Sequence, residues 1–562
     1  MWSWTKIKTI YSKFSPKDRA IAIICIFALI IGIIWGISSF IGAVTELKPK
    51  PGGKIIYGTW EQPHFINPVL SQNNETDNDL MNLIYDGLIA IDQRGKIIND
   101  LASEINISKD GKTYEVILKE NILWHDGTPF TADDVIFTIE AIQNARYNSP
   151  WYNIWRDIKI EKIGDYMVRF YLNTPQNQFL QHLSFKIMPA HIWANISPTQ
   201  WPLTDYNLKA IGTGPYCYEK LEKSKEGSII AYHLKKNPKY FKHIPYIQNI
   251  TFSFYETQDD AFEALIQGKI NLIREISYYQ KELIKNKNKL IIKRIVLPRY
   301  YGVFFNQKHN LLSNKNVVKA LELSLDKQKI IDTVFYQEAE LLNAPISKNF
   351  IGHSQSLNQL SYNPEEAKNI LKNLGFEDYN NDKILEKKDN NSSAEFTLTV
   401  PLVDELMNVA NIAKQNWEAI GVKVNINPVS LQNIYQDSLK LRNYDAIIFG
   451  EAYGIIPNLF YFWHSSQITA PGLNISMYSN SEIDKLLEQS SQTQSQETLE
   501  QNLIKIQELL TRDKPAIFLC NPYFLYAQSY KIKGNNITTV NMPSNKFENI
   551  EDWYINTRRV LK

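Results

Sequence analysis

The chain is poor in the features that most often give a function away. Cysteine is scarcest, with three in 562 residues and neither a C-x-x-C pair nor Cys/His spacing. That excludes a disulfide scaffold and a structural zinc site. Charge of one sign is also lacking: 61 Lys and Arg face 59 Asp and Glu, a net of +2. A dedicated nucleic-acid binder carries a marked basic excess, so nucleic acid is not the partner. H-E-x-x-H, G-x-S-x-G and G-x-x-x-x-G-K-[ST] are all missing, which leaves hydrolase and nucleotide-binding readings without support. The 23 Gly and 24 Pro are spread out, against collagen or low-complexity classes. Against these deficits stand 44% hydrophobic residues and a length of two to four domain-sized units, so most of the chain can bury a core.

The small net charge is a sum of unlike parts. Residues 1–50 hold seven basic side chains (Lys6, Lys8, Lys13, Lys17, Arg19, Lys48, Lys50) and two acidic ones, Asp18 and Glu46, whereas the other 512 residues hold 54 and 57. Between Arg19 and Thr45 run 25 uncharged, mostly apolar residues, 20–44. As a helix they extend about 37 Å, enough for a hydrocarbon core of about 30 Å. The run exceeds the apolar stretch of a cleaved signal, and Ile41-Gly42-Ala43 is a poor cleavage site. Cys25 follows Ile23-Ile24 deep inside it, which does not suit lipid attachment. An uncleaved transmembrane anchor is expected, with the basic flank 1–19 cytoplasmic and everything after it extracytoplasmic. Residues 45–53, with Lys48-Pro49-Lys50-Pro51-Gly52-Gly53, read as an extended linker.

Beyond the linker, residues 54–59 read as a strand. Residues 61–68 and the polar run 71–78 read as a loop, and 79–88 as a helix. A strand at 113–118 is followed by the turn His125-Asp126-Gly127-Thr128-Pro129, with Thr131 capping a helix over 132–144. Further helices are expected at 316–324, after the cap Asn363-Pro364, after Ser481-x-x-Asp484, and through the Gln/Ser-rich stretch 488–500. Strands are expected at 229–234, 250–254, 291–297, 301–306, 396–400, 422–426, 446–449 and 516–520. Helices and strands alternate, so the class is α/β. Asp378-x-Asn380-x-Asp382 has calcium-loop spacing, but Lys383 stands where that loop needs Gly, and a polar hairpin turn is expected. His125-Asp126 is expected to bond backbone rather than catalyse. Cys217 and Cys520 read as isolated small apolar residues, with pairing left open.

The order of motifs then resembles a known family. Tyr85-Asp86-Gly87-Leu88 with Asp92 and Gly95 is followed by Asp100-Leu101-Ala102, by Ser108-Lys109-Asp110-Gly111-Lys112-x-Tyr114 and by Trp124-His125-Asp126-Gly127-Thr128-Pro129-Phe130-Thr131-Ala132-Asp133-Asp134-Val135. Gly212-Thr213-Gly214-Pro215-Tyr216, Asn237-Pro238-x-Tyr240, Gly268-Lys269-Ile270-Asn271, Phe305-Asn306, Leu325-Asp326, Tyr362-x-Pro364 and Gln415-x-Trp417 continue it. Over about 52–540 the chain resembles the family 5 extracellular solute-binding proteins, the oligopeptide and dipeptide receptors of ATP-binding-cassette importers.

The resemblance implies a two-lobed periplasmic-binding-protein clamshell of the large type. Lobe one would span 54–297 with an inserted subdomain, lobe two 298–522, and 523–562 would return to lobe one. It implies a non-enzymatic, monomeric receptor with no cofactor or metal, which closes by hinge motion around an oligopeptide or other small solute and delivers it to a membrane permease. In the peptide receptors, an acid in the loop after a late lobe-two strand pairs with the ligand ammonium. Here that segment is Glu451-Ala452-Tyr453-Gly454-Ile455-Ile456-Pro457-Asn458; the family's Asp-Pro has become Ile456-Pro457, and Glu451 is the only acid left. Tyr453, Trp463, His464 and Glu61 are further candidate contacts, and Tyr300 and Asn306 flank a crossing strand. The alternative for Trp463 and His464 is a short amphipathic helix packing inward. A non-peptide solute in the same fold, or a surface interaction or chaperone-like module, remain the rival functions.

Overall fold

The computed structural model describes residues 15–71, 74–92, 96–285, 287, 289–357, 361–387 and 392–562. The predicted flank residues Lys6, Lys8 and Lys13 and the motif residue Gly95 lie outside them.

The apolar run is one 29-residue helix, Pro16–Val44, with none of its residues buried. It starts four residues before the uncharged run. Ser15 accepts the Asp18 N–H while Asp18 reaches back to Ser15, and Pro16 occupies the first turn. The predicted linker is a correction: Thr45–Lys50 is a strand, paired antiparallel with Asn556–Leu561 from Thr45 opposite Leu561 to Lys50 opposite Asn556. Proline is tolerated in it because a two-stranded ribbon consists only of edges.

Two mixed sheets form the body. The first has seven strands in the order Leu290–Ile295, Phe524–Ser529, Leu272–Ile273, Lys54–Thr59, Asn249–Phe254, Ile229–Lys236, Tyr216–Lys223. The second has six, in the order Ala339–Leu341, Ala516–Pro522, Arg299–Phe305, Ala446–Ala452, Glu395–Pro401, Lys423–Val429. Each is the floor of one lobe. A four-stranded antiparallel sheet, Ala102–Ile107, Thr113–Leu118, Met167–Tyr171 and Lys159–Gly164, forms the subdomain inserted into lobe one. The chain crosses between lobes twice, through Val296–Pro298 and at Tyr523, each time from the end of one lobe's strand directly into the other's. At the crossings, Asn521 Nδ2 donates to Leu297 O (2.9 Å) and Arg299 Nη2 to Pro522 O (3.3 Å).

The polar run 71–78 is a second correction. The helix is Glu75–Ile84, capped by Asn74, and not 79–88. Its polar side chains are structural. Asp77 accepts the N–H groups of His64 (2.8 Å) and Phe65 (2.9 Å), and Asp79 binds Lys546 Nζ at 2.6 Å inside lobe one. The cap of Ser481–Gln492 is Asn480, and Asp484 instead accepts from Ser465. The 488–500 stretch divides between that helix and Gln496–Asp513. Residues 378–386 form a hairpin turn in which Glu386 accepts from Tyr379 N and Asn380 Nδ2. Cys217 and Cys520 sit in different lobes and are unpaired.

Candidate functional site

Between the lobes lies a cavity of about 1040 Å³. Lobe one supplies an aromatic wall from segments after the helix Ala132–Gln143: Trp151 and Trp155 at the short helix Tyr152–Trp155, and His182 and Phe185 at the end of Phe179–His182 and just after it. Lobe two supplies Tyr453, Tyr461 and Phe462, carried by the loop that leaves the Ala446–Ala452 strand. The polar lining is mainly amide: Asn78, Asn82, Gln178, Gln181, Asn458, Asn541 and Asn545. Amides donate and accept in equal measure, which matches peptide-like backbone, and Glu75, Lys186 and Glu548 add charged groups to the same wall. His182 is buried enough that its imidazole falls to about 4, and it is neutral at physiological pH.

The lobes touch across this cavity. Asn458 Nδ2 donates to Gln178 Oε1 (2.6 Å), Gln181 Nε2 to Ile456 O (3.2 Å), Ile455 N to Asn541 Oδ1 (3.2 Å), and Asn177 Nδ2 to Ser490 O (2.6 Å). A second, smaller cavity of about 220 Å³ sits at the crossing strands, lined by Glu75, Arg274, Glu275, Arg299, Glu405 and Lys546 among others. Glu75 lines both. Burial raises its carboxyl above the ordinary range, and Asp79 adds to the effect.

Two sheets joined by two crossings, with a lined cavity between them, is the geometry of a ligand-binding clamshell. The family model for bacterial extracellular solute-binding proteins, family 5 (middle), matches residues 96–470, two thirds of the chain. The chain belongs to this family. Such proteins are the binding receptors of ATP-binding-cassette importers and not enzymes. The oligopeptide-binding protein AppA of Bacillus subtilis is 27% identical over 516 residues, covering 90% of this chain and 92% of that protein. The glutathione-binding protein GsiB of Pectobacterium atrosepticum is 26% identical, covering 82% and 87%. Among solved structures, AppA in complex with a nonapeptide superposes with a TM-score of 0.69 at 26% identity, covering 91% of this chain and all of that one. NikZ of Campylobacter jejuni with Ni(L-His) gives 0.70 at 26% identity, over 89% and 99%.

Within this solute-binding protein, Tyr453 is the one sequence-predicted residue on the main cavity wall; its hydroxyl accepts from Ser347 N at 3.2 Å. Glu451 is not in the loop but in the strand, opposite Tyr300. Pleating turns adjacent side chains to opposite faces, so while Ala452 lines the cavity, Glu451 points into lobe two. It is 5% exposed and accepts the Tyr300 hydroxyl; burial raises its carboxyl to about 8, the tyrosine bond opposing this only in part. Tyr300 is fully buried there, packed edge-on against Phe518. Trp463 is likewise fully buried, against Phe304 and Phe518, so the inward-packing alternative describes it. His464 stacks on Phe460 and shares a hydrogen bond with Ser466. Asn306 holds the turn after its strand, donating to Tyr444 O and accepting from Lys308 N. Glu61 pairs with Arg274 (3.0 Å), which lies over the Trp60 ring, and caps the Glu75 N–H (3.2 Å) beside the smaller cavity.

The wall residues Trp151, Trp155, His182, Tyr461 and the amides were not singled out from sequence. The available signal was the aromatic density of 147–155 in a segment without helix or strand period. Position relative to the other lobe is not encoded locally.

Proposed function

We propose that the protein is a membrane-anchored extracytoplasmic receptor that captures oligopeptides between its lobes and passes them to an ATP-binding-cassette permease. The observation that carries the peptide reading is the composition of the main cavity: aromatic side chains from both lobes around a ring of Asn and Gln amides. Such a wall offers stacking surface and backbone-matching hydrogen bonds while leaving side-chain identity loosely read. The peptide-binding relative over 90% of the chain supports the same reading.

Tyr453 is the sequence-named wall residue we place against ligand, with Tyr461 and Phe462 beside it. Hinge closure is supported by the paired crossings and by the hydrogen bonds that link Gln178 to Asn458 and Gln181 to Ile456. The ammonium of a bound peptide has no partner in Glu451, which is buried inside lobe two, away from the cavity lining, and bonded through one oxygen to Tyr300. The anchor is supported by an apolar helix of 29 residues, none of which is buried.

Native mass spectrometry of the full chain, purified from its membrane in mild detergent, tests the ligand class. A heterogeneous ladder of peptide masses is expected. A single non-peptide mass overturns the oligopeptide assignment while leaving the receptor fold intact.

A further inference from the structure

The ribbon of Thr45–Lys50 and Asn556–Leu561 lines neither of the two cavities described, yet its construction is specific. The helix Pro16–Val44 does not end in loose chain. Thr45 N–H returns to Ile41 O, Lys562 N–H donates to Val44 O at 3.0 Å, and Arg559 Nη1 donates to Thr45 Oγ1 at 3.1 Å. The strand Asn556–Leu561 is thereby fastened to the last turn of the helix. At about 1.5 Å per residue the helix is about 43 Å long, the thickness of a bilayer with its headgroups and not of the hydrocarbon alone. Its end, and the first rung of the ribbon, fall at headgroup level.

The ribbon's composition suits that depth. Residues 45–50 and 556–562 hold five basic side chains, Lys48, Lys50, Arg558, Arg559 and Lys562, against Glu46 alone. Glu46 is already paired with Lys48 (3.0 Å). The rest of the extracytoplasmic body is net acidic, so this is a local concentration of positive charge and not a general property. Two leucines are exposed on the ribbon, Leu47 at 57% and Leu561 at 77%. In the antiparallel register Leu561 lies opposite Thr45 and Arg559 opposite Leu47, which puts both leucines and Arg559 on one face, and Lys48, Lys50 and Arg558 on the other. An apolar face edged by Arg559 and backed by a cationic face is the composition of elements that lie in a membrane interface.

We propose that the ribbon is a lipid-binding surface: its basic side chains hold the phosphates of anionic phospholipids in the extracytoplasmic leaflet, and its leucines enter the interface. The consequence is that lobe one rests at a fixed height beside the membrane instead of swinging on a tether. The proposal rests on the reading of Pro16–Val44 as a membrane span.

The test is hydrogen exchange of the full chain in nanodiscs made of phosphatidylcholine with or without phosphatidylglycerol, no permease being present. Peptides covering 45–50 and 556–562 are expected to exchange about threefold more slowly with the anionic lipid, and the difference is expected to vanish at high salt. The variant with Lys48, Lys50, Arg558, Arg559 and Lys562 all changed to Gln is expected to lose it too. The salt series on the unmodified chain carries the test if that variant does not assemble its ribbon. Equal exchange in both lipids overturns the proposal while the anchor reading stands. A chain that fails to enter the discs, or whose residues 20–44 exchange freely, overturns the anchor reading and the proposal with it.

Discussion

At the scale of single residues, the most specific part of the sequence turns out to be fastening. Trp124 Nε1 donates to Asp134 Oδ2 (3.2 Å), and the same carboxylate accepts the N–H groups of Thr131 (2.9 Å) and Ala190 (2.8 Å). His125 accepts Gly212 N–H at Nδ1 (3.2 Å) and lies 3.0 Å from Gly214 O at Nε2. Burial lowers its imidazole to about 4, so it works as a neutral staple, as its place in a turn predicts. A Cβ on Gly212 would stand 1.8 Å from Ile84 O. Gly212→Ala is therefore expected to lower the melting temperature by about 5 °C or more, read by calorimetry. Glu451 gives a pH signature. Its carboxyl keeps a proton to about pH 8 when folded but releases it near 4.5 when exposed. Across that window the folded state holds the extra proton, so stability falls as pH rises, by at most about 1.4 kcal/mol per unit. Glu451→Gln removes the dependence: its melting temperature should gain on the parent from pH 5 to pH 8, and parallel curves would refute the burial. The signature's identity was legible in the sequence because each residue has one local bonding task. The facing of Glu451 was not, because whether position 451 lies within the strand or opens the loop reverses it.

At the scale of elements, caps and apolar stripes were readable wherever polar residues face solvent. Asn363 with Pro364 and Thr131 with Asp134 begin their helices as expected. The helix Glu75–Ile84 was half missed because its polar first turn faces protein, and burial of polar side chains leaves no period to read. The same holds for Glu322. Burial alone would raise its carboxyl, but Lys327 (2.8 Å) and Lys514 (2.6 Å) outweigh that and hold it at about 2. This triad ties the helix Lys315–Leu323 to the residue that closes Gln496–Asp513, in the left-handed region at φ 58°. Its stabilisation is complete above the ordinary carboxylate range and is lost as pH falls from about 4.5 toward about 2. Glu322→Gln leaves two cations without their common partner. It is expected to destabilise lobe two by about 3 kcal/mol at neutral pH, seen as an earlier unfolding transition in urea.

At the scale of the whole molecule, two lobes with double crossings could be recognised from motif order, whereas the cavity wall could not, since it is assembled from segments some 300 residues apart. Closure is expected to depend on the cross-cavity amides. Removing Asn177 and Asn458 together, each to Ala, should speed ligand release about tenfold in stopped-flow measurements, with the melting temperature nearly unchanged. The anchor predicts that the full chain stays with membranes through alkaline carbonate extraction while protease added from outside cuts within the lobes. Recovery in the soluble fraction would show a removable leader instead.

The ribbon beside that anchor also imposes an order in time. Thr45–Lys50 is the first stretch past the helix Pro16–Val44, and its partner lies about 500 residues further along the chain. That partner is made only after both lobes. The pairing can therefore close only once residues 556–561 have been made, and a product interrupted in the second lobe leaves Thr45–Lys50 as an open edge. The state of that first strand is a record of whether the chain has been made at least as far as residues 556–561.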